Sequence, residues 1–143
     1  MPQEILNYIK TQRVCVLAVE MLDGSPHAAT VHYSHVENPL RFFIQTSNTT
    51  TKAKSLISSG GAGKAAIVIG FSETDWLTLQ MRGNIRVISN QKKLDGVYKI
   101  HYAKHPDAKQ YKGPNTVFLE FQPNWWRFTD FNTNPEKITE NQS

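Results

Sequence analysis

The sequence predicts a mainly β domain, an antiparallel barrel of six strands with helices at its periphery. Short runs rich in Val, Ile, Phe and Thr recur between turn signals, as the strands of an antiparallel sheet do. The helical segments never alternate one for one with those runs, which sets aside a doubly wound parallel sheet. A chain of 143 residues, 39% hydrophobic and 20% charged, builds one core and is too short for two.

Each element has a local reason. After Pro2, the residues Ile5, Leu6 and Ile9 share one helical face, so the chain opens with a short helix ending near Gln12. Val14 to Met21 is apolar and β-branched on both alternating faces, the pattern of a buried strand. Leu22-Asp23-Gly24-Ser25 supplies a hairpin turn, and Pro26 leads into a return strand from about His27 to Tyr33. Glu37-Asn38-Pro39 turns the chain again, into a third strand from Arg41 to Thr46. The hydroxyl and amide residues Ser47 to Thr51 cap a helix from Lys52 to Ile57. Ser58 to Lys64 reads as a glycine-rich loop, followed by strands from Ala65 to Gly70 and from Trp76 to Ile88. Gly83 bends the second of these. Asn90 caps a helix carrying Leu94, Val97, Tyr98 and Tyr102 on one side, which His105-Pro106 ends. Thr116 to Gln122 is the last strand, followed by Pro123 to Phe128. Residues 1–131 thus form one domain, and the polar residues 132–143 form a tail expected to fray.

Composition narrows the partners. Lys plus Arg number 16 against 12 acidic residues, a net charge of +4 that favours an anionic ligand. The basic residues are scattered rather than interleaved with aromatics, so no nucleic-acid partner is expected. Cys15, the single cysteine, lies in an apolar strand and reads as a core residue; a chain without an intrachain disulfide fits a reducing compartment. No apolar run reaches the length of a membrane span and no leader pattern is present, so a soluble cytoplasmic protein is expected.

Among candidate motifs, Gly60-Gly61-Ala62-Gly63-Lys64 fails as a nucleotide loop, because Ser58 stands where a glycine is needed and Ala65 where a hydroxyl is needed. His101 and His105 sit four residues apart on the last helix, and His32 and His35 straddle a hairpin. Neither pair has the pattern of a metal centre, and no metal is expected. Trp125 and Trp126 point to opposite faces of a strand, one free to close the core and the other to meet a cofactor or partner. The segment from Thr46 to Lys54 combines hydroxyls, the open amides of a helix start and the lysines Lys52 and Lys54. Those are the parts of a phosphate site, although an ordinary capped surface helix has the same composition.

The order of these pieces carries a resemblance. The helix, the Val14 to Met21 strand, the Asp-Gly turn, the Pro-led strand, Phe42-Phe43-Ile44-Gln45-Thr46-Ser47, Thr51-Lys52-Ala53 and Leu56 resemble the pyridoxamine 5'-phosphate oxidase-like FMN-binding split-barrel superfamily. Gln80 to Arg86 and Pro123 to Phe131 continue the match. The closing Trp126 to Asp130 is similar to the small, general-stress-type members. The resemblance implies a split barrel of Greek-key type and a homodimer with FMN at the interface. It implies FMN phosphate on Thr51 and Lys52 with Thr50 or Lys54 as a further contact, and the flavin ring against Ala29, Thr30, Val31 and His32 with Thr46 and Ser47 beside it. Gln80 and Trp126 are the implied contacts from the partner subunit. The implied activity is that of a flavin-dependent oxidoreductase acting on an unknown small substrate, with a nicotinamide as a possible electron donor. No side chain is singled out as acid or base. The alternative is a non-catalytic flavin- or haem-binding protein of storage, sensor or stress type. Thr51-Lys52 replaces the Arg-Lys pair of authentic oxidases and the Arg-Leu-x-Pro ending is absent, two departures that weigh against vitamin B6 oxidation.

Overall fold

The structure, a computed structural model, describes residues 1–70 and 72–141. Helix α1 (Gln3–Thr11) leads into β1 (Val14–Glu20), β2 (Pro26–His32), the short β3 (Ser34–Val36) and β4 (Arg41–Ser47). Then come α2 (Thr51–Ser58), β5 (Ala62–Ile69), β6 (Leu77–Val87), α3 (Gln91–Lys104), a 3-10 turn (Pro106–Tyr111), β7 (Thr116–Asp130) and β8 (Lys137–Glu140). The strands form one antiparallel sheet in the order β2-β1-β5-β6-β7-β4-β3, with β8 added on β7. The sheet curls so that β2, at one end, approaches β4 near the other. Between them lies the split in the barrel.

The mainly β split barrel is as the sequence predicts, but among the described residues it has eight strands rather than six. The sequence gives no warning of β3, which is too short for any periodicity and follows β2 with a single residue between. At β7 the expected end at Gln122 is overrun, because Pro123 sits opposite Gly83 at the one register shift in the β6–β7 ladder, where a missing N–H is tolerated. A Cβ at Gly83 would collide with the carbonyl of Gln122, so the residue that bends the strand also admits the proline strand beside it. The expected glycine-rich loop is shorter, since Ala62 to Lys64 already pair with Asn84 to Arg86. Of the polar tail, residues 137–140 pair with Arg127 to Asp130.

Apolar alternation fills the inside of the curl. Ile5, Tyr8 and Ile9 of α1 pack with Leu17, Ile67, Ile69, Leu79, Met81, Leu119 and Phe121 in the main core. Cys15 belongs to it, and burial pushes its thiol up to about 12, so it stays protonated. Fully buried Tyr33 donates its hydroxyl to the Ile9 carbonyl at 2.6 Å, tying α1 to the end of β2. A second cluster seats α3 through Val97, Leu94 and Tyr98 on Phe43 and Phe118. Glu120 fixes the same helix. Its carboxylate takes Arg86 Nη2 and Lys93 Nζ, both at 2.6 Å. Burial alone would raise its pKa, but the hydrogen bonds from Lys93 and Arg86 outweigh it and hold the group below the usual carboxylate range.

Candidate functional site

The split leaves backbone unpaired on both its rims. β2 is an edge strand, and β4 pairs with β7 from Phe42 to Ser47 on one side but with β3 only from Arg41 to Phe43 on the other. The N–H and C=O groups of β2 that point away from β1, and those of the second half of β4 that point away from β7, therefore face a gap without ladder partners. A cavity of about 840 Å³ occupies that gap. Its walls are Thr30, Val31 and His32 of β2, Gln45, Thr46 and Ser47 of β4, the end of α3 and the segment that follows it to Thr116. The volume is that of a pocket for a molecule of cofactor size.

The end of α3 is docked on the β2–β3 corner by two histidines. His101, 1% exposed, bonds through Nδ1 to the buried Ser34 hydroxyl at 2.8 Å. Burial, with smaller contributions from His105, His32 and Lys104, pushes its pKa down to about 4. Nε2 of His105 lies 2.7 Å from the Tyr33 carbonyl, which can only accept, so Nε2 carries the proton. Burial lowers the pKa of His105 as well, so the ring is neutral and its Nδ1 accepts from Arg13 Nη2 at 3.3 Å. Arg13 also donates to the Lys104 carbonyl at 3.4 Å, at the C-terminal end of α3. The i, i+4 pair thus serves to dock a helix, and among the described residues no group of three His, Cys, Asp or Glu side chains could hold a metal ion.

One wall atom lacks a partner. Gln45 Nε2 donates to the Ala108 carbonyl at 3.2 Å, which fixes the orientation of the amide and leaves Oε1 as a buried acceptor with nothing to accept. A ligand N–H would satisfy it. Below the wall, Thr46 Oγ1 lies 3.1 Å from Thr50 Oγ1, and Thr50 caps α2 by accepting from the Ala53 amide. Lys52, two residues on, is 8% exposed, makes no ion pair or hydrogen bond among the described residues, and has its pKa lowered by burial. A desolvated ammonium without a counter-charge is a costly arrangement that an anion would relieve.

The expected site residues therefore divide. Thr30, Val31, His32, Thr46 and Ser47 converge on the cavity. Ala29 pairs with the buried Leu17 and faces the interior, Thr50 stands behind the Thr46 wall, and Lys52 is buried in the first turn of α2 and lines neither hollow. Thr51 and Lys54 line a separate, open hollow of about 540 Å³ that also contains Asp23. Gln80 is exposed on the outer face of the sheet. Trp126 packs against the core opposite Met81 while Trp125 takes the outer face, under Arg82 at 4.1 Å. Arg13, Gln45 and the segment after His105 escaped the sequence reading. Gln45 was legible only as an alternation mate of buried Ile44, and Arg13 as a lone charge between a helix and a strand.

The outer face near the cavity is itself unusual. The registers align Thr30, Val16, Val68 and Gln80 in one row and Ala28, Ala18, Ala66 and Arg82 in the next. The central Val16, Ala18, Ala66 and Val68 belong to neither core cluster and are half-buried.

The family model for pyridoxamine 5'-phosphate oxidase matches residues 1–130. The chain belongs to that family. Among solved structures it is similar in fold to a Clostridium acetobutylicum protein related to general stress protein 26, of the pyridoxinephosphate oxidase family. The TM-score is 0.71 at 11% identity, over 96% of this chain and 92% of that one. It is similar also to a pyridoxamine 5'-phosphate oxidase-related, FMN-binding protein of Nostoc punctiforme, with TM-score 0.70, 15% identity and coverage of 90% and 85%. A haem-binding protein of Mycobacterium smegmatis gives TM-score 0.73 at 16% identity over 94% of this chain, which spans about half of that protein, 54%. No curated protein matches the sequence. At such identities the likeness is one of fold, shared by flavin and haem binders alike. No helix among the described residues is long and apolar enough to cross a membrane.

Proposed function

We propose that this member of the pyridoxamine 5'-phosphate oxidase family is an FMN-binding flavoprotein of the cytoplasm, an oxidoreductase that works on a small substrate as a homodimer. The observation that carries the reading is the cavity in the split, walled by the two unpaired strand edges of β2 and β4. Its residues fit a flavin. The free main-chain groups along Thr30 to His32 and beside Thr46 and Ser47 offer the amide donors and acceptors that flavin sites use to hold and tune the ring. Gln45 Oε1 awaits a donor of the kind the flavin imide supplies. The capped start of α2 and the uncompensated Lys52 suit the phosphate, whereas Thr51 and Lys54 face the other hollow and are weaker candidates for it. When bound, the flavin supplies hydride or electron transfer, and the chain's residues orient it and exclude water. His101 and His105 are both neutral and committed to docking α3, so neither serves as a proton donor near pH 7. The half-buried face of Val16, Ala18, Ala66 and Val68 adjoins Thr30 at the cavity rim, which supports a second copy covering the face and closing the cofactor site.

Purified protein titrated with FMN tests the reading. Quenching of flavin fluorescence, followed by bleaching of the bound flavin with NADH or NADPH under anaerobic conditions, is the expected result. Bound flavin that no donor reduces would leave a carrier in place of an enzyme. One observation favours haem as a second reading: His32 is exposed at the cavity, makes no hydrogen bond among the described residues and sits edge-on to His105, with ring centroids 5.0 Å apart. A Soret band on adding haem, abolished in His32→Ala, would select it.

A further inference from the structure

Arg13 is the only lysine or arginine among the residues lining the cavity, and it has no acidic partner among the described residues. Two of its N–H groups are used, on His105 Nδ1 and the Lys104 carbonyl, and these bonds anchor the guanidinium at the end of α3. Capping that helix end accounts for its position, and because the side chain is exposed its remaining N–H groups are open to a ligand. A second cation stands behind it. Lys104 Nζ is buried over the Tyr33 ring at 4.1 Å with no hydrogen-bond partner, and the positive charge of Arg13 adds to burial in lowering its pKa to about 8. Two adjacent cations repel each other, and an anion placed at both relieves the repulsion. Here no carboxylate fills that place: exposed Asp107, the one acid of the cavity lining, makes no ion pair among the described residues. The imidazoles facing the spot, His101 and His105, are held neutral by burial and add no charge of their own.

We infer that the Arg13 end of the cavity is an anion subsite that takes a phosphate or carboxylate group of the cavity's ligand, with the guanidinium making the contact and Lys104 reinforcing it from behind. Held through one N–H on each terminal nitrogen, the guanidinium retains its Nε–H and a second N–H on Nη1 and on Nη2, so an Nε–Nη edge remains to bind two oxygens of one anion. The anion has two possible sources, the cofactor's own phosphate or a second, anionic reactant beside the ring. The inference rests on the cavity being the ligand site and does not require that ligand to be a flavin.

Calorimetric titration of the full chain separates the cases, using FMN, riboflavin, inorganic phosphate and benzoate as probes against wild type, Arg13→Gln and Arg13→Lys. Loss of at least about tenfold in FMN affinity in Arg13→Gln with riboflavin unchanged assigns the subsite to the cofactor's phosphate. Unchanged affinity for both flavins, with loss of phosphate or benzoate binding to the flavin-loaded protein, assigns it to the second reactant. Arg13→Lys keeps the charge and loses the fork, so it is expected to fall between wild type and Arg13→Gln; its thermal melt, with that of Arg13→Gln, establishes that both variants fold. Wild type that binds phosphate through Arg13 but binds no flavin would sink the flavin reading and keep the subsite. Affinities for all four probes that are the same in folded Arg13→Gln as in wild type would overturn the inference.

Discussion

Acidification should loosen the α3 wall of the cavity, and His101 sets the size of the effect. Its pKa is 6.5 when unfolded and about 4 in the folded chain, because protonating it would place a charge in a 1% exposed site beside Ser34. Above pH 6.5 the ring is neutral in both states and costs nothing. As pH falls from 6.5 towards 4 the unfolded chain takes up the proton first, so stability declines, and below about 4 the loss is complete. A gap of that width corresponds to about 3 kcal/mol. His105 moves in the same direction and adds to the decline. The test is urea unfolding between pH 7.5 and 3.5 for wild type and for His101→Gln, which cannot titrate and retains an amide for Ser34. Carboxylates common to both proteins cancel in the difference. Wild type should lose about 3 kcal/mol more than the variant across that range. Parallel stability curves would show that His101 is solvated in solution, and the docking of α3 through buried neutral histidines would be wrong.

Other perturbations probe the rest of the structure. Gly83→Ala should cost about 3 kcal/mol in denaturant unfolding, because the new methyl meets the Gln122 carbonyl and the β6–β7 bulge must shift. Glu120→Gln should cost about 2 kcal/mol, less than breaking a fully buried pair, since Arg86 and Lys93 can turn to water; unfolding midpoints would measure it. If a second copy covers the outer face as proposed, Ala66→Arg at its centre should convert that dimer into a folded monomer in sedimentation and weaken FMN binding at the same time. Lys52→Ala should weaken FMN by about tenfold or more while Lys64→Ala leaves it unchanged, as fluorescence titration would read.

Much of this architecture was legible in the sequence, and its failures have physical causes. The strands with apolar alternation, such as Val14 to Glu20 and Arg41 to Ser47, and the helices with side-chain caps at Thr50 and Asn90 lie where local chemistry dictates. What escaped was set by partners distant in sequence. Pro123 stays in a strand because Gly83, forty residues earlier by number, supplies a bulge to receive it. Ala62 to Lys64 extend as strand because β6 is there to pair with them. In the candidate site, the β2 and β4 residues came into view only through the family resemblance, which rests on the order of the elements. Arg13 and Gln45 were not, because a charge at a helix–strand junction and an amide in an apolar strand acquire meaning only when the end of α3 folds over them.

The most direct test of the central claim is the structure of crystals grown with FMN. Isoalloxazine density between β2 and β4, against Thr30 to His32 and Thr46 to Ser47 with a second copy across the outer sheet face, is the expected result. Flavin bound elsewhere on the chain, with the split between those strands still open to solvent, would contradict it.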